Sequence, residues 1–205
     1  MDEKESYTDM ICKTIRENEK FFQSDDELKK IYTEIVILAD DAIDMYPLDN
    51  KFSDPWTEFV LNAMQPLSQG IYLCALSGNI VACFMQLRLL IEYLALTSFA
   101  GKIQGDNLLE KLEKVRIDYD NKRISDMIKK FDSQAFGLWK STSEWHHAKS
   151  HSRRIEKTII DEGVKLWSII QPAPYHKKDK KELMELFQSI QQFRKILKKH
   201  RKFSK

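Results

Sequence analysis

The chain has 205 residues, 42% apolar and 31% charged, with 6 Gly and 5 Pro; this fits a globular domain and excludes collagen-like, mucin-like and linker-like chains. The formal charge of +2 hides a segregation: residues 1–50 hold 6 Lys/Arg against 14 Asp/Glu, residues 51–174 hold 16 against 14, and residues 175–205 hold 11 against 3. Net charge is therefore no guide to partners, whereas the acidic start and the basic end each suggest one.

Helical periodicity runs through most of the chain. Tyr7, Met10/Ile11, Thr14/Ile15 and Phe21/Phe22 recur at helical spacing, and Leu28, Ile31/Tyr32, Ile35, Leu38/Ala39 and Ala42/Ile43 repeat the pattern. Between them Ser24-Asp25-Asp26-Glu27 reads as a capping box, with Ser24 at the N-cap and Glu27 at N3. Asp54-Pro55 starts a third helix, since proline at the first helical position gives up a hydrogen bond that would not form there anyway. Pro66 is expected to kink or end that helix.

From Val60 to Leu87 there is an uncharged run of 28 residues, long enough to cross a bilayer. Its interior polar residues, above all Ser77-Gly78-Asn79, instead mark a turn between two buried helices, because unpartnered polar groups are costly in hydrocarbon. No membrane span is expected. Ile80 to Ala100 is apolar on nearly every side and should be the central helix. Shorter amphipathic helices follow at Leu108–Val115, Ile124–Phe131 and Phe136–Trp145. The β-branched stretches 154–160 and 164–170, which flank Asp161-Glu162-Gly163, predict a small β-hairpin. Lys180 to His200 forms a last helix, with Leu183, Leu186/Phe187, Ile190, Phe193 and Leu197 on one face. The expected fold is thus mainly α, a multi-helix bundle around residues 80–100 with a hairpin near 154–170. Residues 1–174 form the helical domain, and 175–205 a basic amphipathic helix packed on it or extending from it.

The odd set of three cysteines, Cys12, Cys74 and Cys83, contains no CxxC pair, which argues against a disulfide framework or a four-thiolate zinc site. The opening MDEKESYTDM lacks the basic start and apolar run of a secretory signal, so the expected location is the cytoplasm. No Gly-rich phosphate loop, GxSxG elbow or kinase signature is present, and no cofactor is expected.

Three groups of residues could carry chemistry. Arg88 and Glu92, one turn apart in the most apolar helix, read either as an ion pair fixing helix register or as the polar floor of a pocket whose guanidinium takes a phosphate or carboxylate. Residues 141–151 concentrate His146, His147 and His151 beside Ser143 and Glu144. One of these histidines could act as a general acid–base; Glu144, His147 and His151 share a helical stripe suited to a metal; a histidine near a helix C-terminus could simply be a cap. In the basic end, Arg194, Lys195, Lys198, Lys199, Arg201 and Lys202 could neutralise phosphates of RNA or could face solvent or the chain's own acidic arm.

Leu87-Arg88-Leu89-Leu90-Ile91-Glu92 in a very apolar helix, followed some fifty residues later by Ser141-Thr142-Ser143-Glu144-Trp145-His146-His147, resembles helical prokaryotic proteins related to the HEPN superfamily. That superfamily includes metal-independent RNases of toxin–antitoxin, CRISPR and phage-defence systems. Its nucleases use a closely spaced arginine and histidine in one helix, met here only by Arg194 and His200. The resemblance implies action on or near RNA, with Arg88, Glu92 and His146 or His147 as the catalytic group. The competing expectation is a non-catalytic module that docks onto a protein partner or a second copy through its acidic or basic terminal helices.

Overall fold

The computed structural model describes residues 6–45, 54–104, 107–120, 124–146 and 173–201. These residues are mainly helical: α1 (Tyr7–Phe22), α2 (Asp26–Asp44), α3 (Pro55–Phe59), α4 (Gln65–Leu76), α5 (Ile80–Ala100), α6 (Leu108–Asp120), α7 (Ile124–Phe131), α8 (Ser133–His146) and α9 (Lys180–Arg201). No described residue is in a strand; the hairpin expected at 154–170 lies outside the described residues.

α5 is the central helix, touched by α3, α4, α6, α7, α8 and α9. Its Ile80, Cys83, Leu87, Leu90, Ile91 and Ala95 are fully inaccessible. Against it α9 buries Leu183, Leu186, Ile190, Phe193, Ile196 and Leu197, so the basic C-terminal helix is part of the bundle.

Two helix boundaries differ from expectation. α2 is capped by Asp25, whose side chain accepts from the N–H groups of Glu27 and Leu28, while the Ser24 hydroxyl donates to Phe21 O. A carboxylate is a stronger acceptor than a hydroxyl and favours the positive helix start, so it takes the cap one residue later. Pro66 does not end its helix either. The chain stays helical from Pro55 through Leu76, with a π-helical segment at Val60–Met64 just before the proline. There the Gln65 N–H bonds Val60 O, five residues back. The wider turn makes room for a ring that cannot donate and would crowd the preceding carbonyl.

The turn between α4 and α5 ends one helix and starts the next. Gly78 takes φ +79°, Asn79 N–H bonds Cys74 O at 2.8 Å and Gly78 N–H bonds Ala75 O at 3.2 Å, closing α4 as a Schellman motif. Asn79 Oδ1 then accepts from Ala82 N–H and caps α5. The segment leading to α9 lies against this turn. Asn18 of α1, fully buried, donates to Leu76 O and Ala173 O and accepts from Tyr175 N–H at 2.7 Å, while Ala173 N–H bonds Ser77 O. One amide side chain thus joins α1, the end of α4 and the entry to α9.

Candidate functional site between α5 and α8

α8 is positioned by its N-cap. Asp132, with its side chain 2% exposed, accepts from Gln134 and Ala135 N–H through Oδ1 and from Lys199 Nζ through Oδ2 at 2.6 Å, with His200 Nε2 3.1 Å from the same oxygen. Burial opposes the charge, but Lys199, the two backbone donors and His200 outweigh it and hold the carboxyl well below the usual carboxylate range. The His200 ring also packs on Phe131, their centroids 4.1 Å apart. These contacts tie the α7–α8 corner to the end of α9.

From that corner α8 runs antiparallel to α5. Trp139 reaches Glu92, and two turns later Trp145 stacks on Phe84, with centroids 4.4 Å apart and planes 9° apart. Arg88 Nε donates to Glu92 Oε1 at 2.9 Å, and the indole N–H of Trp139 donates to the same oxygen at 2.7 Å. The guanidinium lies over the Trp139 ring, 4.9 Å from its centroid, in a cation–π contact. Arg88 and Glu92 side chains are 23% and 17% exposed. The guanidinium is therefore held at one edge by a carboxylate and on one face by an indole. Its Nη1 and Nη2 donate to no group among the described residues. Such a planar fork suits bidentate contact with a phosphate or carboxylate.

His146 ends α8, seven residues after Trp139 and about 10 Å farther along the axis. His147 and His151 lie outside the described residues. The neighbouring hydroxyls are engaged within their own helix: Ser141 donates to Leu138 O, and Thr142 and Ser143 both donate to Trp139 O. Among the described residues no cluster of His, Cys, Asp and Glu could hold a metal ion.

The basic helix is used differently. Arg194 Nε donates to Asp41 at 2.6 Å and Nη1 to Glu34 at 2.5 Å, both carboxylates standing on α2. Burial works against the guanidinium's charge, but Asp41 and Glu34 raise its pKa further above its already high value. At the other end of the seam Lys180 bridges Asp25 and Glu27. The acidic and basic ends of the sequence thus meet each other. Of the residues proposed for phosphate contact, Arg194 faces α2 and Lys199 faces Asp132, while Lys195, Lys198 and Arg201 are exposed; Lys202 lies outside the described residues. Arg194 and His200 are six residues apart and take separate partners on α2 and at Asp132. An open groove of about 540 Å³ beside Lys180 is lined by Glu27, Lys181 and Glu185 as well, so it favours neither sign of ligand.

Trp139 and Asp132 were not legible as site residues. Trp139 meets Glu92 across 47 residues with no local signal. Asp132 did carry one, an aspartate directly before a helical stretch, which reads as an N-cap. No family model, curated protein or solved structure matches the chain.

Proposed function

We propose that this is a HEPN-like helical protein that acts on or near RNA, with Arg88 as the group that takes a phosphate. The supporting observation is the guanidinium itself: fixed by Glu92 and Trp139, part-exposed, with both terminal nitrogens unengaged among the described residues. Such preorganisation lowers the cost of ordering an arginine on its ligand.

In this reading His146 or His147 removes the proton of a ribose 2′-hydroxyl as its oxygen attacks the adjacent phosphorus; the bond to the 5′-oxygen breaks, and that oxygen takes a proton from water. Arg88 stabilises the charge on the phosphoryl oxygens, and Glu92 acts as a positioning residue that fixes the arginine's plane. His146 ends the helix that carries Trp139, which supports this arrangement.

The test is cleavage and binding of single-stranded and hairpin RNA by the full chain. Arg88→Ala should abolish cleavage and weaken binding, His146→Ala or His147→Ala should abolish cleavage with binding retained, and all three should keep wild-type circular dichroism. A wild-type chain that neither cuts nor binds RNA, or an Arg88→Ala variant that does both normally, overturns the reading. The alternative, a non-catalytic interaction module, is favoured by a different observation, the exposed apolar side chains Leu73 on α4 and Met85 and Leu89 on α5.

A further inference from the structure

Eleven residues of helix make almost three full turns, so Phe99 stands on the same flank of α5 as Arg88, about 16 Å farther along the axis. Cationic and aromatic side chains meet there a second time. Lys102 Nζ lies over the Phe99 ring, 5.1 Å from its centroid, and Tyr119 of α6 tilts against the same ring, their centroids 5.5 Å apart. Lys130 Nζ of α7 in turn lies 5.7 Å from the Tyr119 centroid. Both rings rest on the core and are part-exposed, and both lysines are exposed. Neither ammonium pairs with a carboxylate among the described residues, not even Lys130 with Asp126, one turn before it on α7. Lys180, Arg194 and Lys199 differ in this respect, their charges being taken up by Glu27, Glu34 and Asp132. The aromatic surface also extends from Trp139 toward Phe99. Phe136 stacks on Trp139 with planes 18° apart, and because α8 is antiparallel to α5 it lies toward the Phe99 end of that helix.

We infer that Phe99, Tyr119, Lys102 and Lys130 hold an unpaired nucleotide, its base against the rings and its phosphate on the lysines. The link to Arg88 rests on the reading of that arginine as a phosphate ligand: the two sites then take one single strand laid along the flank of α5. Rings and cations together are what a single-stranded nucleic acid uses, since every base has a π face and every linkage a charge. An acidic peptide would engage the lysines and leave the rings idle. Within a duplex the bases are stacked on their neighbours, so their faces cannot reach Phe99 or Tyr119. The unspent charge of the two lysines is the decisive feature, because a cation already neutralised by a carboxylate gains little from a phosphate.

The test measures binding of the full chain, by fluorescence anisotropy, to a labelled oligouridylate of about ten nucleotides and to an abasic oligonucleotide of the same length. The wild type should bind the oligouridylate at least about fivefold more tightly than the abasic strand. Tyr119→Leu, which keeps the apolar bulk and removes the π face, should weaken oligouridylate binding at least about fivefold, whereas Tyr119→Phe should bind as the wild type does. The double variant Lys102→Ala, Lys130→Ala should weaken both probes and reduce the slope of log K against log salt by about 1.4, two phosphates at about 0.7 each. Lys30→Ala, exposed on α2, should leave the affinities unchanged. All variants should keep wild-type circular dichroism. Equal binding of the abasic strand by the wild type, as for any polyanion, overturns the inference. So does a Tyr119→Leu chain of undiminished affinity, or a salt slope that the double variant leaves intact. If only Arg88→Ala weakens binding, the nucleotide site is overturned and the reading of Arg88 stands; if only the Tyr119 and lysine variants do, the reading of Arg88 is overturned and the nucleotide site stands. A wild type that binds neither probe overturns both.

Discussion

Two arginines in this bundle sit at nearly the same depth and are used in opposite ways. Arg194, 17% exposed, sends two nitrogens to two carboxylates on another helix; Arg88, 23% exposed, sends one nitrogen to a carboxylate on its own helix and lays its face on an indole. The first is a cross-link between α2 and α9, with its hydrogen-bonding directed into the protein. The second is held in place, but the end of its fork is not used up. Depth alone does not separate a structural charge from an available one; the direction and number of its partners do.

The largest expected effect is at the cross-link. Arg194→Ala leaves Glu34 and Asp41 part-buried and unpaired, which should cost about 3–5 kcal/mol in the urea-derived stability of the chain. A loss below about 1 kcal/mol would remove the distinction drawn between the two arginines.

Asp132 comes next, because it is both the cap of α8 and the anchor for Lys199 and His200. Asp132→Ala should cost about 2–3 kcal/mol. Its folded pKa lies below the unfolded value, so its contribution is fully present above the unfolded pKa, near 3.8, and is lost as pH falls through the folded one. Stability measured from about pH 5 downward should therefore fall less steeply in Asp132→Asn than in the wild type.

Smaller effects are expected at the candidate site. Trp139→Phe keeps the ring under Arg88 but removes the indole donor to Glu92, a loss of about 1 kcal/mol by thermal denaturation. Arg88→Ala should cost less than about 1 kcal/mol, since it removes a part-exposed one-turn pair and a cation–π contact. A cost at Arg88 matching that at Arg194 would mark it as a second cross-link and weaken its reading as a ligand group.

Helix order and type were legible because they are local properties. Asp54-Pro55, Ser77-Gly78-Asn79 and the apolar run 80–100 each carry their boundary in adjacent residues, and α3, α4 and α5 start or stop there. The Arg88–Glu92 pair was legible for the same reason, four residues apart in an otherwise uncharged helix. What closes the site was not. Trp139 reaches Glu92 only because the cap at Asp132 sets where α8 begins, and that cap answers to Lys199 and His200 some 67 residues away. The charge segregation was plain in the sequence, whereas its use within one chain required α2 and α9 to be neighbours. The π-helical segment before Pro66 has no sequence signature, because proline announces a disturbance without specifying how the backbone absorbs it.

The contacts of Asn18 order events during synthesis. Its amide is satisfied partly by Ala173 and Tyr175, and the carboxylates of α2 are met by Arg194, at sequence separations of 153 to 160 residues. A chain emerging from the ribosome makes α1 and α2 early but lacks these partners until residues 173–194 appear. Until then Asn18 and the row of α2 carboxylates remain in water, where they are cheaply hydrated, and cannot be buried without loss. Final docking of the amino-terminal helices therefore waits until the segment through Arg194 has been made.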